Sequence, residues 1–429
     1  MTGFFAGAGL MLVLLLGGVW VAIALGIGGV VGLMVQMGLT RLQLMVGIIG
    51  WEQSTNFVLI AVPLFIFMGE MLFQAGIMNR IYDAASKLVG FVPGGLLQTN
   101  IAACTVFAAC SGSSVASAAT IGSVAYPQLS QRGYNRPLAL GSIAAGGTLG
   151  ILVPPSIIFI IYGSLAEVSV GRLFMAGVIP GLLLAILYAA YIAGRVLINP
   201  ALAPRERGVG WGERLRAVGT LWQVGLLALV VLGGIYGGIA SPTEVAALGA
   251  TLAVCFAAME GKLNWSTIER AGRSTVRQTS MILFIVIGAK IISLLFIQYR
   301  VSTTLVAWIA GSGTSATTVQ IVLCLLYLML GMFFEGVSMM VITVPFVVPL
   351  MVSLNVDLVW LGVLICIMIE VSLITPPVGV NLYVLQGATG EPLRDIIVGS
   401  APFVVIQLLM VPLLFLLPWL ALYLPSRLF

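Results

Sequence analysis

Apolar runs of about 20 residues recur along the whole chain, each long enough to cross a hydrocarbon core as a helix. The first stretches from Phe4 to Val35. It has no basic leader and is too long for a signal-peptide core, so it is expected to stay as a first span or two. Two of the later runs are interrupted by adjacent prolines, in "LGILVPPSII" (149–158) and "SLITPPVGVN" (372–381). A double proline removes two backbone donors and clashes with the preceding turn, so each pair predicts a broken helix. Ahead of each pair lies a second irregularity, "CSGSSVAS" (110–117) and "FFEGVSMM" (333–340). Each is flanked by apolar halves, Leu97–Ala109 with Val115–Leu129 and Thr318–Phe334 with Ser338–Val352. Such halves are short for full crossings and suit re-entrant hairpins that turn at mid-depth. A turn at that depth is tolerated only where it packs in protein or lines a polar cavity.

The two halves share a register. Pro154-Pro155 and Pro376-Pro377 are 222 residues apart (376 − 154). The same shift carries Pro127 onto Pro349, Arg172 onto Arg394, Gly177 onto Gly399 and Pro180 onto Pro402. Upstream, Phe65 and Gly69 fall on Phe284 and Gly288 at a shift of 219 (284 − 65). A collinear set of Pro, Gly and Arg predicts a structural repeat. The expected fold is an all-α polytopic membrane protein of two inverted-topology repeats, each with a re-entrant hairpin and a Pro-Pro-broken helix. The expected division is N-terminal scaffold helices (1–56), repeat 1 (57–198), a basic linker with scaffold helices and an amphipathic arm (199–276), and repeat 2 (277–429).

Composition narrows the class further. The 429 residues are 60% hydrophobic and 8% charged, far from the roughly 25% charge of a soluble protein. There is no histidine, which removes His-based catalysis and His-ligated metal sites. No phosphate-binding P-loop is present; the nearest fragment, "MEGKLNW", lacks the first glycine and the Ser/Thr. The five cysteines lie in apolar segments without metal spacing and read as small buried hydrophobes. The net charge of +5 is a topology signal rather than a nucleic-acid footprint. Arg195, Arg205, Arg207, Arg214 and Arg216 form one basic cluster, and Lys262, Arg270, Arg273 and Arg277 a second. Two apolar stretches, Val218–Ile239 and Ala246–Ala258, separate them, so both clusters can face the cytoplasm. The second cluster reads as an amphipathic helix on the membrane surface, or else a solvated loop.

The prolines admit two readings. They could merely kink helices while the serines hydrogen-bond across them. Or each break faces the hairpin tip of its own repeat, where freed carbonyls and helix ends bind ions. Duplication of the motif favours the second. Ser111, Ser113, Ser114 and Thr375 would add hydroxyl oxygens. Glu335 and Glu370, ionisable groups at membrane depth, could cap backbone donors or bind an ion directly. Glu70 reads as a scaffold contact, and Arg172 and Arg394 as anchors of helix ends.

Together, "SGSSVASAATIG", "LGILVPPSIIFIIYG", "FFEGVSMMVITVPFVVPL" and "SLITPPVGVNLYVLQG" resemble the large membrane subunit of tripartite ATP-independent periplasmic (TRAP) transporters, over nearly the whole chain. The resemblance implies a sodium-coupled importer with an elevator mechanism in the bacterial inner membrane. Its partners would be a small four-helix membrane subunit, a periplasmic substrate-binding protein, a carboxylate substrate and the bilayer. The small subunit is expected as a separate chain, since this sequence opens on the large subunit's own first spans. Carried over, one sodium site would involve Ser111, Gly112, Ser113, Gly150 and Val153. The other would involve Gly336, Ser372 and Thr375; at Ser372 many relatives carry glycine. Ser114, Pro155 and Asn381 are candidate substrate contacts, and Pro154, Pro376 and Pro377 the helix breaks. Stand-alone dicarboxylate symporters of similar design carry Ser-Asn-Thr at both hairpin tips, and this chain has no Ser-Asn-Thr. A channel would need a repeated filter loop. A membrane hydrolase would need a nucleophile with its base. Neither is visible.

Overall fold

A computed structural model describes residues 2–204, 209–312 and 314–428. Arg205 and Arg207 of the first basic cluster lie outside the described residues. Among the described residues the chain is folded into α-helices and two 3-10 turns, with no strand. In hydrocarbon a helix satisfies its own backbone donors and acceptors, which is why so apolar a chain adopts it throughout. Among the described residues, six helices are long and apolar enough to cross a membrane: Phe57–Gln74, Val170–Ile198, Pro242–Met259, Trp265–Gln298, Gly336–Ser353 and Leu393–Leu416. Trp211–Thr220 and Trp222–Tyr236, bent by 50°, make a seventh candidate together. Polar caps start several of the helices. The Asn56 side chain accepts from Val58 and Leu59 N–H, Ser241 and Glu244 form a reciprocal capping box, and Asp357 accepts from Val359 and Trp360 N–H.

The proline pairs end helices where expected. Arg136–Thr148 tightens into a 3-10 turn, Leu149–Ile151, and the chain resumes as a helix only at Ile157. Ser156 caps that second half by accepting from Phe159 N–H, while its hydroxyl donates to the Ile151 carbonyl. In the other half of the sequence, Leu358–Leu373 ends before the prolines and Val380–Thr389 follows them. Both Pro-Pro peptide bonds are cis. The 222-residue interval recurs in the helix boundaries. Ser114–Gln131 matches Gly336–Ser353 residue for residue, and the start at Arg136 matches the start at Leu358. The first tip is the two-residue Gly112–Ser113. The second tip lies at 332–335, so Ser338–Met340, expected in the tip, are helical. Glu335 is the reason: its carboxylate accepts from Val337 N–H and starts the helix early.

The two arms before and after the first tip, Leu96–Ser111 and Ser114–Gln131, begin and end together. The Tyr134 hydroxyl, just past the second arm, accepts from Leu96 N–H at 3.1 Å. Asn135 N–H donates to the Leu202 carbonyl at 2.9 Å, joining this open end to the basic linker. The Arg214 guanidinium stacks over Phe91, 4.3 Å from the ring centroid, near the same end.

The amphipathic surface element is not where the charge pattern put it. Lys262–Arg277 is no separate helix or loop: Trp265–Gln298 is one helix of 34 residues, and the expected boundary at 276/277 falls inside it. No proline interrupts it, and one internal glycine such as Gly272 costs too little to break a helix. The strongly amphipathic helix is Ile77–Val89 instead. It buries Ile77, Met78, Ile81, Tyr82, Ala84 and Ala85 and carries Arg80, Asp83 and Lys87 on the other side. Arg80 pairs with Glu260, which also accepts from Gln223, tying this helix to the end of Pro242–Met259. We expect Arg216→Cys and Arg273→Cys, in a cysteine-free background, to be labelled from the same side of the membrane. Labelling from opposite sides would break the shared face.

One very close helix crossing joins the two halves of the sequence. A Cβ on Gly399 would sit 1.8 Å from the Pro137 carbonyl oxygen, and one on Gly141 would sit 2.0 Å from the Gly399 carbonyl oxygen. Arg136–Thr148 and Leu393–Leu416 therefore touch backbone to backbone, as small residues permit in membranes.

Candidate functional site

The first tip lands on the first break. Gly112 has φ 60°, a left-handed conformation that suits glycine, and a Cβ there would meet the Pro155 carbonyl oxygen at 2.8 Å. The Gly112 carbonyl accepts weakly from Ile157 N–H at 3.4 Å. Gly150 closes the other side: a Cβ there would meet the Ser113 carbonyl oxygen at 2.9 Å and Ser117 Oγ at 3.0 Å. Oxygens converge between these backbones. Ser117 Oγ donates to the Ser113 carbonyl at 2.8 Å and lies 3.2 Å from Ser111 Oγ. Ser113 Oγ caps the following helix by accepting from Ala116 N–H at 3.3 Å. Val153, half-buried in the break, has its N–H committed to the Leu149 carbonyl, and Ser114 is buried at the head of its helix. Ser111, Gly112, Ser113, Ser114, Gly150 and Pro155 thus form one cluster. Ser117, a turn past the tip, belongs to it and was not predicted. Its place one helical turn beyond Ser113 was the available signal.

A cleft of about 200 Å³ adjoins this cluster. The tip contributes Ser111 and Ser113, the second arm Ala116, Ala119 and Thr120, and the facing helices Glu70, Phe73 and Gln278. Glu70 accepts from the Ser274 hydroxyl at 2.6 Å and from Gln278 Nε2 at 3.3 Å. It is the scaffold contact expected of it, and it also borders the cleft. Gln278 and Thr120 are cleft residues that the sequence reading missed. Nothing local marks Gln278, because its contact with Glu70 joins positions some 200 residues apart.

The second tip packs on the end of Leu358–Leu373. A Cβ on Gly331 would meet Ser372 Cβ at 2.2 Å, and one on Gly336 would meet Ile369 Cγ2 at 2.5 Å. The hydroxyls of Ser372 and Thr375 donate back to the Ile369 and Val371 carbonyls, at 2.7 and 2.6 Å. Each keeps lone pairs for a further partner. Glu335 acts as the cap already described. Asn381 is fully buried on Val380–Thr389, and neither its amide nitrogen nor its amide oxygen has a hydrogen-bond partner. That helix packs on Ser114–Gln131, where a Cβ on Gly122 would press on Leu385 Cδ1 at 2.6 Å. The second break is thereby brought beside the second arm of the first hairpin. Arg172 and Arg394 sit in the first turns of Val170–Ile198 and Leu393–Leu416, as expected of helix-end residues.

Broken helices meeting paired tips beside a mainly apolar cleft with a few polar groups, in a chain of membrane-length helices, fit an integral membrane transport protein. The chain belongs to the family of the DctM component of the tripartite ATP-independent periplasmic transporter, whose model matches residues 8–420. It is 34% identical over 379 residues to the C4-dicarboxylate TRAP transporter large permease protein DctM of Pseudomonas aeruginosa, covering 88% of each chain. It is 33% identical over 400 residues to the protein of that name from Vibrio cholerae, covering 87% of this chain and 86% of that one. Among solved structures, the YdaH transporter of Alcanivorax borkumensis has a similar fold, with a TM-score of 0.63, 16% identity and 90% of both chains covered. The family is one of transporter components, not enzymes.

Proposed function

We propose that this chain is the sodium-coupled permease of a TRAP importer for an organic acid in the bacterial inner membrane. A periplasmic substrate-binding protein would deliver the carboxylate, and a small four-helix subunit would complete the fixed scaffold. The observation that carries this reading is the seating of Gly112–Ser113 on the Pro154-Pro155 break, with serine and carbonyl oxygens converging between them. Hard cations take oxygen ligands, so the donor set fits sodium. Ser111, Ser113, Gly112, Gly150 and Val153 would supply one site, and Gly336, Ser372 and Thr375 the other.

The cleft suits a carboxylate in kind. The helix Ser114–Gln131 starts at the tip, so its positive dipole end and the N–H groups of Ser114 and Val115 favour an anion there, the Ala116 N–H being committed to Ser113 Oγ. Asn381, with unused donor and acceptor, is a further candidate contact. The relatives' C4-dicarboxylate names support this substrate class. For transport we propose the elevator: the hairpins and broken helices move as one body against helices such as Phe57–Gln74 and Trp265–Gln298. Two inverted repeats would give that body its two matched sites. The meeting of Leu96 and Tyr134 at one end supports a re-entrant first hairpin.

The test is uptake into vesicles holding this chain, the small subunit and the binding protein, with a panel of organic acids. Uptake should require an inward sodium gradient and all three proteins. Equal uptake with potassium replacing sodium would sink the coupling. Sustained high-affinity uptake by the chain alone would instead point to a stand-alone symporter.

A further inference from the structure

The cleft beside the first tip has two unlike walls. The wall built by the tip and second arm carries the start of the helix Ser114–Gln131 and the Thr120 hydroxyl, which can donate. On the facing wall the hydrogen bonds all run one way. Ser274 gives its hydroxyl proton to Glu70 Oε1 at 2.6 Å. Gln278 Nε2 donates to Glu70 Oε1 at 3.3 Å and to Ser274 Oγ at 3.1 Å. The carboxylate fixes the amide this way round, since an ionised carboxylate only accepts. What remains for a ligand is Gln278 Oε1 and Glu70 Oε2, which no hydrogen bond reaches among the described residues. This wall offers acceptors and no donor.

No side chain offsets the Glu70 charge. Arg270 and Arg273, on the same helix as Gln278, are bonded to Gln74 and Glu269. None of the ion pairs among the described residues includes Glu70, and no Lys or Arg among them lines the cleft. Glu70 is half-buried, and Ile66, Phe73 and Phe107 make much of the lining apolar. A ligand that displaces water here must bring a positive or donating group, or leave the carboxylate desolvated and unpaired at a strong cost. A dicarboxylate meets this wall badly. Its second carboxylate would find two acceptors, one of them charged, and like charges repel more strongly out of water. An ammonium group carries only donors and fits both acceptors. The volume of about 200 Å³ is below the roughly 300–1,000 Å³ of pockets for drug-sized ligands, so the occupant is small.

We infer that the cleft takes a small zwitterion, with its single carboxylate at the first tip and its ammonium group between Glu70 and Gln278. The inference rests on the carboxylate-importer reading and narrows it. The permease itself would then select against a simple dicarboxylate, through the charge on Glu70, whatever the binding protein delivers.

Direct binding to the purified full chain in sodium buffer tests this, because no binding protein then pre-selects the cargo. Matched probes differ only at the far end: β-alanine against malonate, 4-aminobutyrate against succinate, and 5-aminovalerate against glutarate. Propionate, butyrate and valerate are the unsubstituted acids. At the chain length that binds best, the amino acid should bind on the order of tenfold or more tighter than its dicarboxylate and than the unsubstituted acid. Glu70→Gln keeps the side-chain shape and removes the charge. It should weaken the amino acid by a similar factor and the unsubstituted acid far less. If Glu70→Gln fails to fold, the order of affinities in wild type decides by itself. A dicarboxylate that binds as tightly as the amino acid, or unchanged amino-acid affinity in Glu70→Gln, overturns the zwitterion and leaves the carboxylate reading standing. So does 4-hydroxybutyrate binding as tightly as 4-aminobutyrate, which would make the far contact a neutral one. If no acid of any set binds, the carboxylate reading falls along with the zwitterion.

Discussion

Gly399→Ala will cost this protein a large share of its stability. The added methyl would stand 1.8 Å from the Pro137 carbonyl oxygen and 2.6 Å from its carbon. Overpacking costs about 1–3 kcal/mol where side chains can yield. Here both surfaces are helix backbone, so we expect the upper end of that range, about 3 kcal/mol, or more. That is a large share of the roughly 5–15 kcal/mol that stabilises a typical fold. Purified protein should unfold at a much lower temperature or elute as aggregate. Gly272→Ala is the matched contrast. Nothing lies within 4 Å of that added methyl, and the site is inside a helix. It should gain about 0.5–1 kcal/mol from lower flexibility of the unfolded chain. Thermal unfolding followed by tryptophan fluorescence separates the two. Equal midpoints for wild type and Gly399→Ala would show that the two helices can part at little cost.

Under the sodium-coupled reading proposed above, loss of one hydroxyl at a tip or a break will reset the sodium dependence of uptake. Ser113→Ala and Thr375→Ala each remove a side-chain oxygen that keeps acceptor capacity for a further partner. A lost interaction of this kind costs about 1–3 kcal/mol, or roughly 5- to 150-fold in affinity. Uptake at low sodium should collapse and partly return at high sodium. Ser113 also caps its helix, so Ser113→Ala carries a second penalty of about 1 kcal/mol in stability. Ser113→Asn keeps a capping acceptor and separates the two effects. Ser280→Ala, on an exposed helix face, should leave the sodium curve alone. Curves for both site variants that overlay wild type, at matched protein levels, would move the ligands to backbone carbonyls.

Much of this architecture was legible because it is written in breakers. Proline acts through its own ring and missing donor, so Pro154-Pro155 and Pro376-Pro377 located the broken helices without any tertiary information. The tip at Gly112–Ser113 was legible for a similar reason, since glycine and serine stand out in an apolar run. The second tip was misplaced by a few residues because Glu335, read as part of the turn, is the cap that begins a helix. Charge density misled at Lys262–Arg277. It marks an interface but does not stop a helix, and the chain runs on uninterrupted to Gln298. The amphipathic Ile77–Val89 carries fewer charges and was overlooked, though its apolar spacing is clear in hindsight. The cleft is the part that no local pattern reveals. Glu70 meets Ser274 and Gln278 only because two distant helices cross.

The uninterrupted helix Trp265–Gln298 makes membrane thickness matter to this protein. Its 34 residues rise about 1.5 Å each, or about 50 Å in all. A hydrocarbon core is about 30 Å thick. The first part, with Arg270, Arg273 and Arg277, must stay at the polar boundary, while the apolar remainder fills the span. A rod of fixed length pinned at one boundary answers a thinner bilayer by tilting. Because Glu70 is bonded to this rod through Ser274 and Gln278, a tilt would carry Phe57–Gln74 with it and reshape one wall of the cleft. Acyl-chain length would thus act as a mechanical input on the cleft beside the first tip without any ligand.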